Sequence, residues 1–301
     1  MYCSPAAQLH RLKHADILRY EEILRLIRIG VSLGISKVRV TGGEPLVRKG
    51  AADFLADLSH IPGLSEVTLT TNGILLKDNI DRIKDAGIRR INISLDTLQK
   101  KKFQDITGAN LFDQVWAGIT AAKQLGFHPI KINVVALRGV NEDELLDFAK
   151  LTCDNPYHIR FIEFMPIGKA RIKFGPPLLV TEIKERLKPL GMMIPIKKDP
   201  DDGPAERFKI ENAAGEIGFI SALSHHFCSS CNRLRLTASG QLRPCLLSDR
   251  QLDLKGALRN GASDKKLAEI FCRAVANKPS DHSLTANEPS GVTCQMSSIG
   301  G

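Results

Sequence analysis

The chain has 301 residues, of which 43% are apolar, and a formal net charge of +9. That composition allows one large core or two smaller ones. No apolar run reaches the roughly eighteen residues of a membrane span. MYCSPAAQLHRLKHADILRY (1–20) carries no leader-like hydrophobic stretch, so the chain reads as soluble and intracellular. Seven cysteines, odd in number and clustered, argue against a disulfide framework and for metal binding. The positive balance suits a polyanionic partner, or simply a basic enzyme. Basic runs interleaved with aromatics are lacking, so a nucleic-acid platform is not expected.

The expected elements alternate from residue 20 to about 165. YEEILRLIRIGVSLG has apolar residues at helical spacing (Ile23, Leu26, Ile27) and closes at Gly34. KVRVT (37–41) reads as a strand, ADFLADLSHI as a helix, EVTLTT (66–71) as a strand and LLKDNIDRIKDAG as a helix. RRINISLD (89–96) is the third strand, FDQVWAGITAAKQLG a helix, and IKINVVAL (130–137) the fourth strand. NEDELLDFAKLTC follows as a helix and HIRFIEFM (158–165) as the fifth strand. A serial βα repeat of about thirty residues implies an α/β fold with parallel strands under covering helices, a full or partial TIM-like barrel. The pattern changes near residue 168. One helix, three short antiparallel strands (MIPIKK, RFKIEN, EIGFIS), the cysteine stretch and two more helices follow. The Ser/Pro/Gly-rich end is expected to be an extended tail. The expected division is 1–168 and 169–301.

Ligands of parallel α/β folds gather at the C-terminal strand ends. Polar groups recur there: TGGEP (41–45), TTNG (70–73), SLD (94–96) and EFMP (163–166). The two glycines of TGGEP let backbone approach a ligand closely, or form an ordinary βα turn. FCSSCNRLRLTASGQLRPC (227–245) holds Cys228, Cys231 and Cys245. Three thiolates leave one metal position open. A zinc ribbon completed by His225 or His226 would fill it. So would a substrate that itself supplies a ligand, since Arg233 and Arg235, two apart on a strand, share one face. Cys153, Cys272 and Cys294 fit no ligand spacing and read as a core, a helix and a tail thiol.

GGEP resembles the motif with which radical-SAM enzymes hold the amino group of S-adenosylmethionine. Their second signature, CxxxCxxC, lies about forty residues earlier, and MYCSP places Cys3 at that distance. With CxxCNRLRLT-x₂-G-x-L-x₂-CL, TGGEPL, TTNG, NISLD, RFIEFM and the terminal GG in order, the whole chain resembles the GTP 3′,8-cyclase (MoaA) family of molybdenum cofactor biosynthesis. The resemblance implies two 4Fe-4S clusters and S-adenosylmethionine as cofactors. It implies abstraction of the C3′ hydrogen of GTP by a 5′-deoxyadenosyl radical, followed by attack on C8. Cys3 matches a ligand of the first cluster; Cys228, Cys231 and Cys245 match those of the second, whose open iron takes the purine. Tyr2, Gly43, Ser94 and Met165 match S-adenosylmethionine contacts. Arg39, Thr70, Lys131, Arg233, Leu234 and Arg235 match GTP contacts; Glu44 and Asn72 are expected to line the site. No catalytic side chain is assigned.

The family also carries a first strand, a GTP-contacting arginine and two cluster cysteines before the position of Met1. The sequence therefore leads one to expect either a true start further upstream or a truncated product, the former favoured, with an exposed sheet edge and no turnover by the chain as written. Expected partners are GTP, the next enzyme of the pathway, an electron donor and a second copy of the chain. The expected compartment is the cytoplasm, or the mitochondrial matrix in a eukaryote. Three rivals are another radical-SAM enzyme with an auxiliary cluster, such as a peptide-modifying one, a zinc-ribbon binding protein, and an inert GTP-binding isoform.

Overall fold

The computed structural model describes residues 12–167, 175–197, 199, 202–225, 227–281, 292–294 and 296–299. Helix α1 (Tyr20–Ser32) begins where the Glu22 carboxylate accepts the Arg19 N–H at 2.7 Å. It stops at Gly34, whose φ of 95° a β-carbon would resist. Strands β1 (Lys37–Val40), β2 (Glu66–Thr71), β3 (Ile91–Ser94), β4 (Ile130–Ala136) and β5 (Tyr157–Glu163) follow in parallel. They are connected by α2 (Ala51–Ser59), α3 (Leu76–Asp85), α4 (Lys100–Thr107) with α5 (Phe112–Gln124), and α6 (Leu145–Asp154). After α7 (Val180–Leu187) come β6 (Met193–Pro195), β7 (Glu206–Ile210) and β8 (Glu216–Ile220). β8 returns parallel to β5, and β7 and β6 run antiparallel beyond it. The eight strands lie in the order β1-β2-β3-β4-β5-β8-β7-β6. Among the described residues this sheet does not close, so the barrel is partial.

Period-2 alternation decides the two faces. Leu69, Ile91, Ile93, Ile130, Ile132, Val134, Ile159, Phe161, Ile217 and Phe219 are buried in the main core together with apolar residues of α2, α3, α5, α6 and α7. Residues between them on the strands point the other way, into the concavity, and are mostly polar. A second core joins Leu18, Leu26 and Ile29 at the start of the chain to Leu242, Leu254, Leu267, Ile270, Phe271 and Ala274 near its end. Those late residues lie on a small sheet, β9 (Arg235–Leu236), β10 (Gln241–Arg243) and β11 (Leu252–Asp253), and on α8 (Leu254–Arg259) and α9 (Asp264–Ala276).

Some expectations are corrected. Helix α4, from KKKFQDIT, is additional. Helix α6 starts at Leu145 rather than Asn141, because Asn141 and Glu144 turn their side chains to other work. Asn141 Nδ2 donates to the Asp96 carbonyl at 2.7 Å, and its Oδ1 accepts the Leu137 N–H at 2.8 Å. Buried Glu144 accepts the Thr97 hydroxyl and the Leu98 N–H. Cys153 is exposed rather than a core thiol. The tail is not wholly extended: Met296–Ile299 form a short helix, α10. Val292 and Ile299 pack with Ile167, and Met165, Leu246, Leu247 and Cys294 lie against them.

Candidate functional site

The polar face of the sheet is organised in rows. Thr70 pairs in register with Asn92, Asn92 with Lys131, Lys131 with His158, and His158 with Glu216. One row higher lie Ser94, Asn133, Arg160 and Gly218. Alternation along each strand turns these side chains toward the concavity while their apolar neighbours serve the core. Arg160 is the anchor. It is 8% exposed, and its Nε donates to Asn133 Oδ1 at 2.8 Å and its Nη2 to Asn92 Oδ1 at 2.5 Å. Asn92 in turn donates to the Leu69 carbonyl at 3.2 Å. A guanidinium held by two neutral amides keeps its charge uncompensated.

Arg39, Lys131, His158, Arg160, Asp202 and Arg207 line a cleft that opens to solvent. Arg39 is open to the solvent of that cleft although protein surrounds it. Burial, then Arg233, pushes its guanidinium below the usual range. Lys131 is pushed down to about 8 by burial, then by Arg160, Arg39 and Arg90. Arg160 falls to about 9, through burial and then Arg39. Arg235 falls to about 10, through burial and then Arg233 and Arg39, with the thiols of Cys231 and Cys245 acting oppositely. The cations thus form one field, from Lys131 through Arg160 and Arg39 to Arg233 and Arg235. Among the described residues no ion pair joins Arg39, Lys131, Arg160 or Arg233 to a carboxylate. Such a field is fitted to a polyanion. At the cleft's far side acids are already engaged: Arg207 donates to Glu216 at 2.8 Å and Asp202 at 2.8 Å, and Glu216 faces His158 at 3.3 Å. Burial holds His158 down to about 4, against the pull of Glu216.

The strand ends form the upper rim. Added β-carbons at Gly42 and Gly43 would meet nothing within 4 Å, so the backbone there is open to close approach by a ligand. Glu44 ties this turn to the next. Its carboxylate accepts from Leu46 N at 3.0 Å, Thr71 Oγ1 at 2.8 Å and Asn72 N at 2.6 Å. Ser94 is exposed at the end of β3, and Met165 is half-buried beside the tail residues. Tyr2, Cys3 and His226 lie outside the described residues.

Cys228, Cys231 and Cys245 are unbridged and half-buried. Burial raises the Cys231 thiol, but hydrogen bonds from Arg233 and the charges of Arg233 and Lys278 outweigh it and leave the thiol below its ordinary value. Arg233 stacks over Phe227 at 5.0 Å. Lys278 donates to the carbonyls of Arg233 at 2.7 Å and Pro244 at 2.8 Å, clamping the two arms that carry the thiols. Among the described residues no three Cys, His, Asp or Glu side chains gather closely enough to hold one ion. An iron–sulfur cluster asks for less crowding, because each thiolate binds a different iron. Three half-buried thiols beside Arg233, Arg235 and Lys278 suit such an anionic group.

Two family descriptions cover most of the chain: the Radical SAM superfamily over residues 1–152 and Molybdenum Cofactor Synthesis C over residues 157–284. The GTP 3′,8-cyclase of Moorella thermoacetica is 49% identical over 94% of this chain and 88% of its own length. That of Heliobacterium modesticaldum is 46% identical over 100% and 93%. This chain belongs to the GTP 3′,8-cyclase family. The fold agrees with that membership. Streptococcus suis SuiB bound to S-adenosylmethionine superposes with a TM-score of 0.61 over 94% of this chain and 72% of its own, at 12% identity. No described helix is long and apolar enough to cross a membrane.

Of the family-matched positions, Arg39, Thr70 and Lys131 share the concave face, and Arg233 and Arg235 join it by charge. Leu234 packs with the second core beside them. Gly43, Ser94 and Met165 occupy the rim. Asn92, Asn133, His158, Arg160 and Glu216 were not anticipated. For the first four the signal was present as polar residues two apart in INIS, KINVV and HIRF, on the strand face that Lys131 already marks; Glu216 opens EIGFI, where no such pair occurs.

Proposed function

We propose that the chain binds GTP across the concave face and cyclises it to 3′,8-cyclo-7,8-dihydroguanosine triphosphate, the first step of molybdenum cofactor biosynthesis. The observation that carries this is the field of Lys131, Arg160, Arg39 and Arg233, which no described carboxylate pairs with and which Arg235 continues, running from the cleft floor to the three-thiol loop. The triphosphate takes Lys131, Arg160 and Arg39, with Thr70 and Asn92 beside it. Arg233, Leu234 and Arg235 hold the guanosine end near Cys228, Cys231 and Cys245. Gly43, Ser94 and Met165, with Tyr2, bind S-adenosylmethionine at the rim. Cys3 would give one thiolate to a front 4Fe-4S cluster and the three rear thiols would hold a second; when bound, these would supply the electron for S-adenosylmethionine cleavage and an iron for the purine. The side chains' own work is to fix the ribose C3′ toward the rim and C8 within reach of it, and to exclude water. The hydrogen leaves C3′, the C3′–C8 bond forms, and one electron and one proton complete the reduced imidazole ring. Division at residue 168 marks a change of chemistry; the sheet itself runs across it. Expected partners are an electron donor, the next enzyme of the pathway and a second copy of the chain, in the cytoplasm.

The test is anaerobic reconstitution with iron and sulfide of the chain supplied upstream with the two further cysteines of the CxxxCxxC signature, followed by incubation with GTP, S-adenosylmethionine and a reductant. The expected products are 5′-deoxyadenosine and a nucleotide isomeric with GTP. Bound zinc without iron, or GTP recovered unchanged with no 5′-deoxyadenosine, overturns the reading.

A further inference from the structure

Glu163 ends β5 and is fully buried, 0% exposed. No cation meets it among the described residues. Four donors do: Val180 N at 2.9 Å and Ser224 Oγ at 2.5 Å on Oε1, and Leu223 N at 2.7 Å and Ser224 N at 2.9 Å on Oε2. An interior carboxylate costs desolvation that an apolar side chain would not, and it repays that cost only by holding its donors in one arrangement. Two of the donor residues, Leu223 and Ser224, are the root of the segment that runs through Phe227, the platform under Arg233, to Cys228. Two residues beyond Glu163 is Met165, on the rim. Met165 in turn lies with Leu246 and Leu247, just after Cys245, and with the tail's Val292.

We infer that Glu163 is a positioning residue that fixes the root of the cysteine loop on the end of β5, and so sets the offset between the rim carrying Met165 and the loop carrying Cys228, Cys231 and Arg233. The inference deepens the proposed function and rests on its reading of that loop as the nucleotide-holding element. The carboxylate is suited to the task because a charged acceptor takes four donors on two oxygens without any of them having to move.

Two variants of the full chain test it. Ser224→Ala removes one donor and leaves the carboxylate with three. Glu163→Gln places an amide NH₂ against one pair of donors; the Ser224 hydroxyl can turn to accept, but the Val180 and Leu223 N–H groups cannot. The first measurement is amide hydrogen exchange without iron or nucleotide. Exchange over 223–235 should rise about tenfold in Glu163→Gln and less in Ser224→Ala, while the amides of Ile132 and Ile159 in the central strands stay protected. A rise spread evenly over the central strands, or no rise at all, overturns the positioning role. The second is GTP affinity after iron–sulfur reconstitution, expected to weaken severalfold in both variants. A loosened loop with unchanged affinity severs the link to nucleotide. If reconstituted wild type itself fails to bind GTP, the functional reading falls, while the exchange pattern still decides what Glu163 does to the loop.

Discussion

Lys131 has a pH consequence that can be worked out in sign. Its folded value of about 8 lies below the 10.5 of a free lysine, with burial the first cause and Arg160, Arg39 and Arg90 the next. Between those values the unfolded chain holds a proton that the folded chain has released, so this group's contribution makes stability rise with pH from about 8 to 10.5. Urea midpoints across that window should climb more steeply in wild type than in Lys131→Met, and below pH 8 the Met variant should be the more stable of the two. Nucleotide reverses the preference. A triphosphate beside Lys131 favours the ammonium, so GTP binding near pH 8.5 takes up a proton, and affinity falls as pH rises past 8. Titration calorimetry in two buffers of different ionisation enthalpy reads this uptake directly. In Lys131→Arg it should shrink to the smaller share that Arg160, at about 9, takes up; undiminished uptake there would assign the proton to another group.

At the scale of the element, β8 depends on Gly215. A β-carbon there would lie 2.2 Å from the Tyr157 carbonyl and 2.6 Å from that of Asn155. Both are backbone atoms at the start of β5, and the Gly215 N–H already donates to Thr152 at 2.8 Å. Nothing flexible can give way. Gly215→Ala should cost about 3 kcal/mol in urea denaturation and pull Glu216 from His158. Gly203→Ala, where an added β-carbon meets nothing within 4 Å, should stay within about 0.5 kcal/mol of wild type. The strands themselves were legible in the sequence because apolar residues alternate in EVTLTT, KINVV and HIRFIE, and the helices because Gly34, Gly87 and Gly126 close them. The convergence of Arg160 with Lys131 was not, since register between strands depends on loop lengths that no local pattern reports. Likewise the start of α6 moved because Asn141 and Glu144 bond to the distant Asp96 and Thr97, contacts that exist only once β3 and β4 are paired. The thiol loop was legible as a three-cysteine motif. Its support by Glu163 and Lys278, 60 and 45 residues away from the groups they hold, was not.

Over the whole molecule, the two sequence regions named by family fold as one body. β8 from the later region extends the sheet of the earlier one, and α9 packs on α1 through the second core. Where α1 meets α8 and α9, an exposed pair of Arg25 with Asp264 at 2.7 Å accompanies a buried one. Glu22, 5% exposed on α1, receives Arg259 Nε at 2.9 Å and Nη2 at 3.0 Å, and the same guanidinium reaches the carbonyls of Ala15 and Ile17. Arg259 is the first cause that holds Glu22 down to about 2, against the opposing effect of burial. A depressed carboxylate stabilises the fold fully above its ordinary value near 4.5 and loses that contribution as pH falls from there toward 2. In Arg259→Met burial and the Arg19 N–H bond remain and the two guanidinium bonds do not, so Glu22 should rise, and the acid limb of the stability curve should begin at higher pH than in wild type. Urea midpoints from pH 2.5 to 7 check this. The same variant tests whether the seam makes unfolding cooperative. Trp116, on α5 against the main core, is the chain's one tryptophan. Its fluorescence and the far-ultraviolet circular dichroism should give one transition in wild type. In Arg259→Met they should separate at pH 4, the helical signal of α8 and α9 falling first while Trp116 keeps its half-buried setting. Coincident transitions in the variant would mean that the apolar second core, with the Arg25–Asp264 pair, holds the two regions together without Arg259.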